Sequence, residues 1–156
     1  MPHRHSLVRE GAVCGMLGAA AVAAWFLAID LINGRPLFTP RFLGGMVTGE
    51  TDPTLAIVKY TALHLAAFLG FGVLVTELVH AAVRSPIFRF ALMMLFVAFE
   101  FFFVGVSLLF LEGTTNDFPL WSVLAANTIA AAAMTLYLWK RHPSLIRSLR
   151  REALGS

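Results

Sequence analysis

The sequence predicts an all-α fold: a polytopic membrane four-helix bundle that forms one domain over residues 1–156. Three observations predict this fold. Only 13% of the residues are charged, against about 25% in an ordinary soluble domain. Hydrophobic residues make up 58% of the chain, and the mean hydropathy is +0.77. Four apolar runs are each long enough to cross a hydrocarbon core of about 30 Å.

This composition excludes several classes of protein. A chain so poor in charge is not disordered, is not a nucleic-acid-binding domain and is not an ordinary cytosolic enzyme. The single Cys14 excludes an intrachain disulfide framework and any multi-cysteine metal site. The composition therefore predicts a polytopic membrane protein, most of whose surface contacts lipid.

The four predicted spans are residues 11–32, 55–79, 87–111 and 120–139. Helices are the only suitable form, because unpaired backbone groups cannot face lipid and no β-period alternation is present. The first run follows basic residues, but it is too long for the apolar region of a signal peptide and lacks a small-residue cleavage site. We therefore expect it to remain as a span.

Loop residues agree with these boundaries. Asn33-Gly34 predicts a turn after the first span. Asp52 followed by Pro53 is typical of a helix start, in which the acid caps the helix and proline takes the first position. Trp121 and Trp139 stand at opposite ends of the fourth predicted span, where amphipathic rings settle at the headgroup level.

The distribution of basic residues predicts the orientation. Nine of the twelve Lys and Arg residues fall on one predicted face of the membrane, and an excess of Lys and Arg marks cytoplasmic loops. We therefore expect a bacterial inner-membrane protein with both termini in the cytoplasm. The nine are Arg4, Arg9, Arg84, Arg89, Lys140, Arg141, Arg147, Arg150 and Arg151.

Two segments outside the spans have a composition of their own. The first extracytoplasmic loop, residues 33–54, is long and too apolar to be freely solvated. It either lies on the bilayer surface and caps the bundle, or docks a partner subunit or closes a ligand pocket, with Arg35 and Arg41 contacting acidic groups. Residues 144–154 predict a short basic amphipathic helix that contacts anionic lipid.

Ionisable and amide side chains inside the spans are costly and normally have a purpose. Asp30 shares a helix face with small residues and is expected to point into the bundle. His64 and Glu100 lie near mid-membrane, and Asn127 lies inside the fourth span. His64 is roughly opposite a ladder of small residues on its own helix, which comprises Ala62, Ala66 and Gly70.

Three interpretations of this set are open. The first is a buried polar network of Asp30, His64, Glu100 and Asn127, in which Glu100 is neutral or hydrogen-bonded to His64 or Asn127. The second is a cofactor site, with His64 as axial ligand to a haem or a (bacterio)chlorophyll. The third is proton-coupled transport through Glu100. One mid-membrane His and one Glu supply too few ligands for a metal site, and no catalytic motif is present.

The outer-loop segment at residues 30–44 contains the pattern Gly-Arg-Pro-Leu-x-Thr-Pro-x-x-Leu-Gly at residues 34–44. With residues 60–64, 99–102, 126–127 and 139–143, it resembles a family of small bacterial four-span integral membrane proteins of unassigned function. The resemblance implies the fold and a bacterial inner-membrane setting, and it implies no reaction.

The leading functional hypothesis is a non-enzymatic accessory or structural subunit of a larger membrane complex, respiratory or photosynthetic. It rests on the small size, the lack of a catalytic constellation and the presence of helices with more than one packing face. Its partners would be lipid and other membrane subunits or further copies of the chain, and not nucleic acid.

Overall fold

The computed structural model describes residues 2–85 and 119–141, and between them only residues 87, 90, 91, 94, 95, 97–101 and 105. Its helices are α1 (Pro2–Ile32), α2 (Phe38–Thr48), α3 (Pro53–Arg84) and α4 (Leu120–Arg141). The described residues between 87 and 105 are helical too, and no described residue lies in a strand. The all-α prediction is confirmed for this part of the chain.

Among the described residues, three helices are long and apolar enough to cross a membrane: Leu7–Ile32, Pro53–Ala82 and Trp121–Arg141. They correspond to the first, second and fourth predicted spans. Much of the third predicted span, residues 87–111, and the whole predicted tail helix, residues 144–154, lie outside the described residues. The count of four spans and the orientation in the membrane therefore stay predictions.

The observed helices are longer than the apolar runs that predict them. The helix α1 begins at Pro2, nine residues before the first predicted span, so the basic tail continues the same helix. The start of α3 is as predicted, because the Asp52 carboxylate accepts a hydrogen bond of 2.8 Å from the Leu55 amide and Pro53 takes the first turn. Its end, at Arg84, lies five residues past the predicted one. Hydropathy marks the lipid-contacting length of a helix and not its hydrogen-bonded length.

Glycines let α1 and α3 approach closely. A Cβ added at Gly11, Gly15 or Gly72 would lie under 3.0 Å from backbone atoms of the facing helix. Side chains at these positions would force the helices apart, so only glycine permits this contact. Close backbone packing of this kind is the main attraction available between helices in lipid, where apolar burial gives little.

The helix α4 packs on another side of α1 and runs antiparallel to it. Cys14 lies fully buried with its Sγ 4.0 Å from the Met134 carbonyl oxygen, and farther along, the Trp25 Nε1 donates to the Ser122 carbonyl oxygen at 3.0 Å. Trp25 also meets Trp121 edge-on, with ring centroids 6.3 Å apart. The start of α1 and the end of α4 therefore lie at one end of the bundle, and α2 lies at the other.

The long predicted loop contains the helix α2. This helix packs across the start of α3, where a Cβ at Gly44 would collide with the backbone of Ala56. It begins after Leu37, whose φ of 61° is in the left-handed region. The sequence left two possibilities for this segment, a cap on the bilayer surface or a loop that docks a partner subunit or closes a ligand pocket. It predicted no helix here, because a run of eleven residues with two internal glycines has a weak helical propensity.

Candidate functional site

The Asp30 carboxylate fixes α2 to the end of α1. Its Oδ2 accepts a hydrogen bond from the Thr39 amide, and its Oδ1 accepts one from the Thr39 hydroxyl, both at 2.8 Å. Leu37, the residue that precedes α2, contributes no side-chain cap. Asp30 therefore caps α2 from a neighbouring helix and satisfies an amide that would otherwise lack a partner at the helix start.

His64 lies in the contact between α3 and α1. Its Nε2 is 3.3 Å from the Ala19 carbonyl oxygen. The ring is stacked near Tyr60, with centroids 5.7 Å apart, and tilted against Phe68 at 4.7 Å. Ala19 is eleven residues before Asp30 along α1, or about 16 Å at the rise of an α-helix. The structure therefore places His64 and Asp30 in separate environments.

Glu100 and Asn127 are brought together. The Asn127 Nδ2 donates to the Glu100 Oε2 at 3.4 Å, and Asn127 is buried. The other carboxyl oxygen, Oε1 of Glu100, is buried and has no hydrogen-bond partner among the described residues. The four residues of the predicted polar network are thus distributed over three local arrangements: one at α2, one between α1 and α3, and one against α4.

The His64 contacts bear on the cofactor hypothesis. An axial ligand must direct a ring nitrogen into a space that accepts a macrocycle. The Nε2 of His64 instead faces a backbone carbonyl in the contact between α1 and α3, which the glycines hold narrow. No group of three or more His, Cys, Asp or Glu side chains gathers anywhere among the described residues. The contact of Nε2 with the Ala19 carbonyl favours a structural role for this histidine, and the cofactor site stays a hypothesis.

The ladder of small residues on α3 faces outward. Ala62, Ala66 and Gly70 are all exposed, and a Cβ added at Gly70 meets no atom within 4 Å among the described residues. His64 lies on the opposite side of the helix and contacts α1. Sequence reasoning left two possibilities, neighbours on two sides of α3 or a His64 directed outward. His64 faces inward, and the described residues leave the ladder exposed.

A cavity of about 650 Å³ lies between α2 and the start of α3. Its walls include Phe38, Phe42 and Met46, and Arg41 and Glu50 stand at it. Arg41 is one of the two outer-loop residues that the sequence predicts to contact acidic groups. The cavity itself could not be predicted, because the sequence does not indicate how α2 lies across α3.

The charges at this cavity are unequal. The Glu50 carboxylate accepts a hydrogen bond from the Lys59 ammonium and pairs with it. That hydrogen bond, with the backbone amides of Asp52 and Thr51, lowers the pKa of Glu50. Arg41 is exposed, and its guanidinium has no ion-pair partner in the part of the chain that the structure describes. The cavity therefore has one surplus positive charge.

A second pair of titratable groups lies at the opposite end of the bundle. Glu77 stands one turn before His80 on the same helix. In the structure the His80 Nε2 lies 4.0 Å from the Glu10 Oε2 of α1, and the His80 Nδ1 lies 2.8 Å from the Thr76 carbonyl oxygen. Glu77 is exposed. The acid beside His80 therefore comes from the neighbouring helix, a contact that spacing along one helix could not predict.

Fold and composition are compatible with a helical integral membrane protein. No protein-family model, curated protein or solved structure matches it. The assignment of a function therefore depends on the surfaces and contacts described above.

Proposed function

We propose that this protein is a non-enzymatic structural or accessory subunit of a larger complex in the bacterial inner membrane. The observation that carries the proposal is the open small-residue face of α3, formed by Ala62, Ala66 and Gly70. In a membrane, small residues spaced four apart allow a second helix to approach closely, and large apolar side chains fill the positions that face lipid.

The chain itself supports this interpretation. Where α1 meets α3, small residues of the same kind form the contact, with Gly11 and Gly15 on one helix and Gly72 on the other. Elsewhere, exposed positions carry large apolar side chains such as Leu74 and Leu136. A second small-residue face, which the described residues leave exposed, is therefore suited to a helix of another subunit or of another copy.

The proposed orientation has both termini in the cytoplasm. Its basis is the excess of Lys and Arg at the tails and at the second loop. The antiparallel packing of α1 and α4 is compatible with it, since the start of the first helix and the end of the last lie at the same end of the bundle. A reporter fused to the C-terminus should be active only if it works in the cytoplasm.

The test is purification from native membranes in mild detergent, followed by native electrophoresis and identification of co-purifying chains. We expect a stoichiometric partner or a homo-oligomer. Ala66→Leu and Gly70→Leu should release it, and Ala132→Leu should not. Ala132 is an exposed small residue on α4 and serves as the matched control. A lone monomer from wild-type membranes, or an equal effect of all three substitutions, would contradict the proposal.

A second candidate function, proton-coupled transport, is favoured by one observation: the Glu100 Oε1 is buried and has no hydrogen-bond partner in the part of the chain that the structure describes. A carboxyl group with one oxygen held by Asn127 and the other unpaired can exchange a proton within the membrane. In proteoliposomes under an imposed potential, proton flux should disappear in Glu100→Gln and persist in Glu77→Gln, which changes an exposed acid at the end of α3. Equal flux in wild type and Glu100→Gln would exclude this function.

A further inference from the structure

The cavity between α2 and the start of α3 lies beside the ends of two candidate membrane-spanning helices. One candidate span ends at Ile32 and the next begins at Pro53, so α2, which lies between them, sits just past the ends of two membrane-crossing helices. A ligand reaching this cavity can therefore come from the membrane itself.

The walls of the cavity are apolar, and its surplus charge is positive. Phe38 and Phe42 stack with centroids 5.6 Å apart and form one side with Met46. The Glu50 carboxylate is neutralised by Lys59, whereas Arg41 is exposed without an ion-pair partner among the described residues. Apolar walls beside a single free guanidinium suit a molecule with a hydrocarbon chain and an anionic head.

We propose that this cavity binds an anionic phospholipid, with its phosphate on Arg41 and the upper part of an acyl chain against Phe38, Phe42 and Met46. Guanidinium groups bind phosphate oxygens in a planar, two-point geometry that an ammonium group does not reproduce. The lipid comes from the leaflet at the α2 end of the bundle. This binding does not depend on the proposed partner complex.

The proposed lipid site lies between two helices, α2 and α3, that are already in contact. The helix α2 is held by Asp30 at its start and packs on Ala56 through Gly44. A lipid held between α2 and α3 would bridge the two elements and stabilise this end of the bundle, because a ligand that binds only the folded arrangement favours it.

The experiment uses the purified full-length chain in detergent, depleted of lipid and titrated with phosphatidylglycerol or phosphatidylcholine, with native mass spectrometry as the readout. We expect phosphatidylglycerol to be retained in preference to phosphatidylcholine. Arg41→Gln should weaken its retention about fivefold, which is the factor expected for one basic residue near an anionic headgroup. Arg41→Lys should retain part of the preference for phosphatidylglycerol over phosphatidylcholine.

Two matched controls distinguish this site from general charge attraction and from loss of folding. Arg141→Gln removes an equal charge at the opposite end of the bundle and should leave retention unchanged. Met46→Glu should abolish retention by placing a negative charge in the cavity, whereas the volume-conserving Met46→Leu should not change it.

Three outcomes would overturn the proposal. Equal retention of the two lipids by the wild type would show that no anionic site exists. An equal loss in Arg141→Gln and Arg41→Gln would reduce the effect to net charge. Full displacement of phosphatidylglycerol by inorganic phosphate would show that the cavity binds a soluble anion without using its apolar walls.

Discussion

Asp30 binds Thr39 through both carboxylate oxygens, one to the backbone amide and one to the hydroxyl, each at 2.8 Å. Both residues are 3% exposed. The pair joins the last turn of α1 to the first turn of α2. An acid near a helix C-terminus is unfavourable for that helix, and here the N-terminus of α2 offsets this cost.

We expect Asp30→Ala to detach α2 from the bundle. The substitution leaves the Thr39 amide and hydroxyl buried without partners, at a cost of about 2 kcal/mol. Hydrogen exchange at the amides of α2 should accelerate, and protease cleavage between α1 and α3 should increase. Asp52→Ala, which removes an exposed cap from α3, should change only the first turn of that helix. Unchanged protection of α2 in Asp30→Ala would disprove the role of this pair.

Gly15→Val should separate α1 from α3, because the added Cβ would overlap the backbone of Phe68. Overpacking of this kind costs about 1–3 kcal/mol or more. The melting temperature in detergent should fall. Gly70→Ala, which adds a methyl group where the described chain leaves open space, should leave the melting temperature of the isolated chain unchanged. Equal melting temperatures for both variants would show that the glycine contact is not tight.

Asn127→Leu should destabilise the chain by about 1–3 kcal/mol, because it leaves the buried Glu100 carboxyl without its hydrogen-bond donor. Glu100→Gln keeps an acceptor oxygen opposite the Asn127 amide, so it should cost less. Thermal unfolding of both variants and of the double variant measures the coupling directly. Additive effects in this cycle would argue against a bond between the two side chains.

Freshly purified protein should show no Soret band and no near-infrared pigment band. The reason is that the Nε2 of His64 is directed at the Ala19 carbonyl and not at open space. His64→Gln, which retains a hydrogen-bond donor, should fold with nearly wild-type stability. An absorption band that is present in wild type and lost in His64→Gln would establish the cofactor interpretation instead.

The pair of Glu50 and Lys59 should respond to acid. The hydrogen bond from Lys59 lowers the pKa of Glu50 from its ordinary value of 4.5. A lowered pKa in the folded state means that the pair stabilises the chain above pH 4.5 and that this contribution is lost as the pH falls through the lowered value. Lys59→Gln should shift the Glu50 titration, followed by carbon NMR, back upward. An unshifted titration would show that the pair does not persist in solution.

The outward face of α3 shows which features of a helix the spacing of residues in the sequence can predict and which it cannot. The ladder of Ala62, Ala66 and Gly70 is visible in the sequence, and so is the placement of His64 on the opposite side of the same helix. Helical periodicity fixes these relative directions because each residue turns the chain by about 100°. It does not say which side meets α1. That depends on Gly11 and Gly15, whose lack of side chains allows α3 to approach with its His64 side.

For the polar residues inside the spans, the sequence likewise predicted one feature and left another open. Their cost in lipid identified Asp30, His64, Glu100 and Asn127 from the sequence alone, and suggested a partner for Glu100 among the others. Only the tertiary structure decided the pairing. Asp30 has its carboxylate bound by Thr39, a residue of the loop, because the start of α2 offers unpaired donors nearby.

The sequence by itself indicated that the chain is apolar enough to lie in a membrane and that its fold is helical. It also gave the positions of three helices that are long and apolar enough to cross a membrane, because these features follow from local composition and length. The tertiary structure decided that the long outer segment contains a helix, which side of α3 the described residues leave exposed, and where Arg41 meets apolar walls. These features depend on how closely backbones approach and on which donors lie near a carboxylate. Close backbone approach and the placement of donors both depend on contacts between residues that are distant in the chain. The hydropathy of the sequence therefore does not predict them.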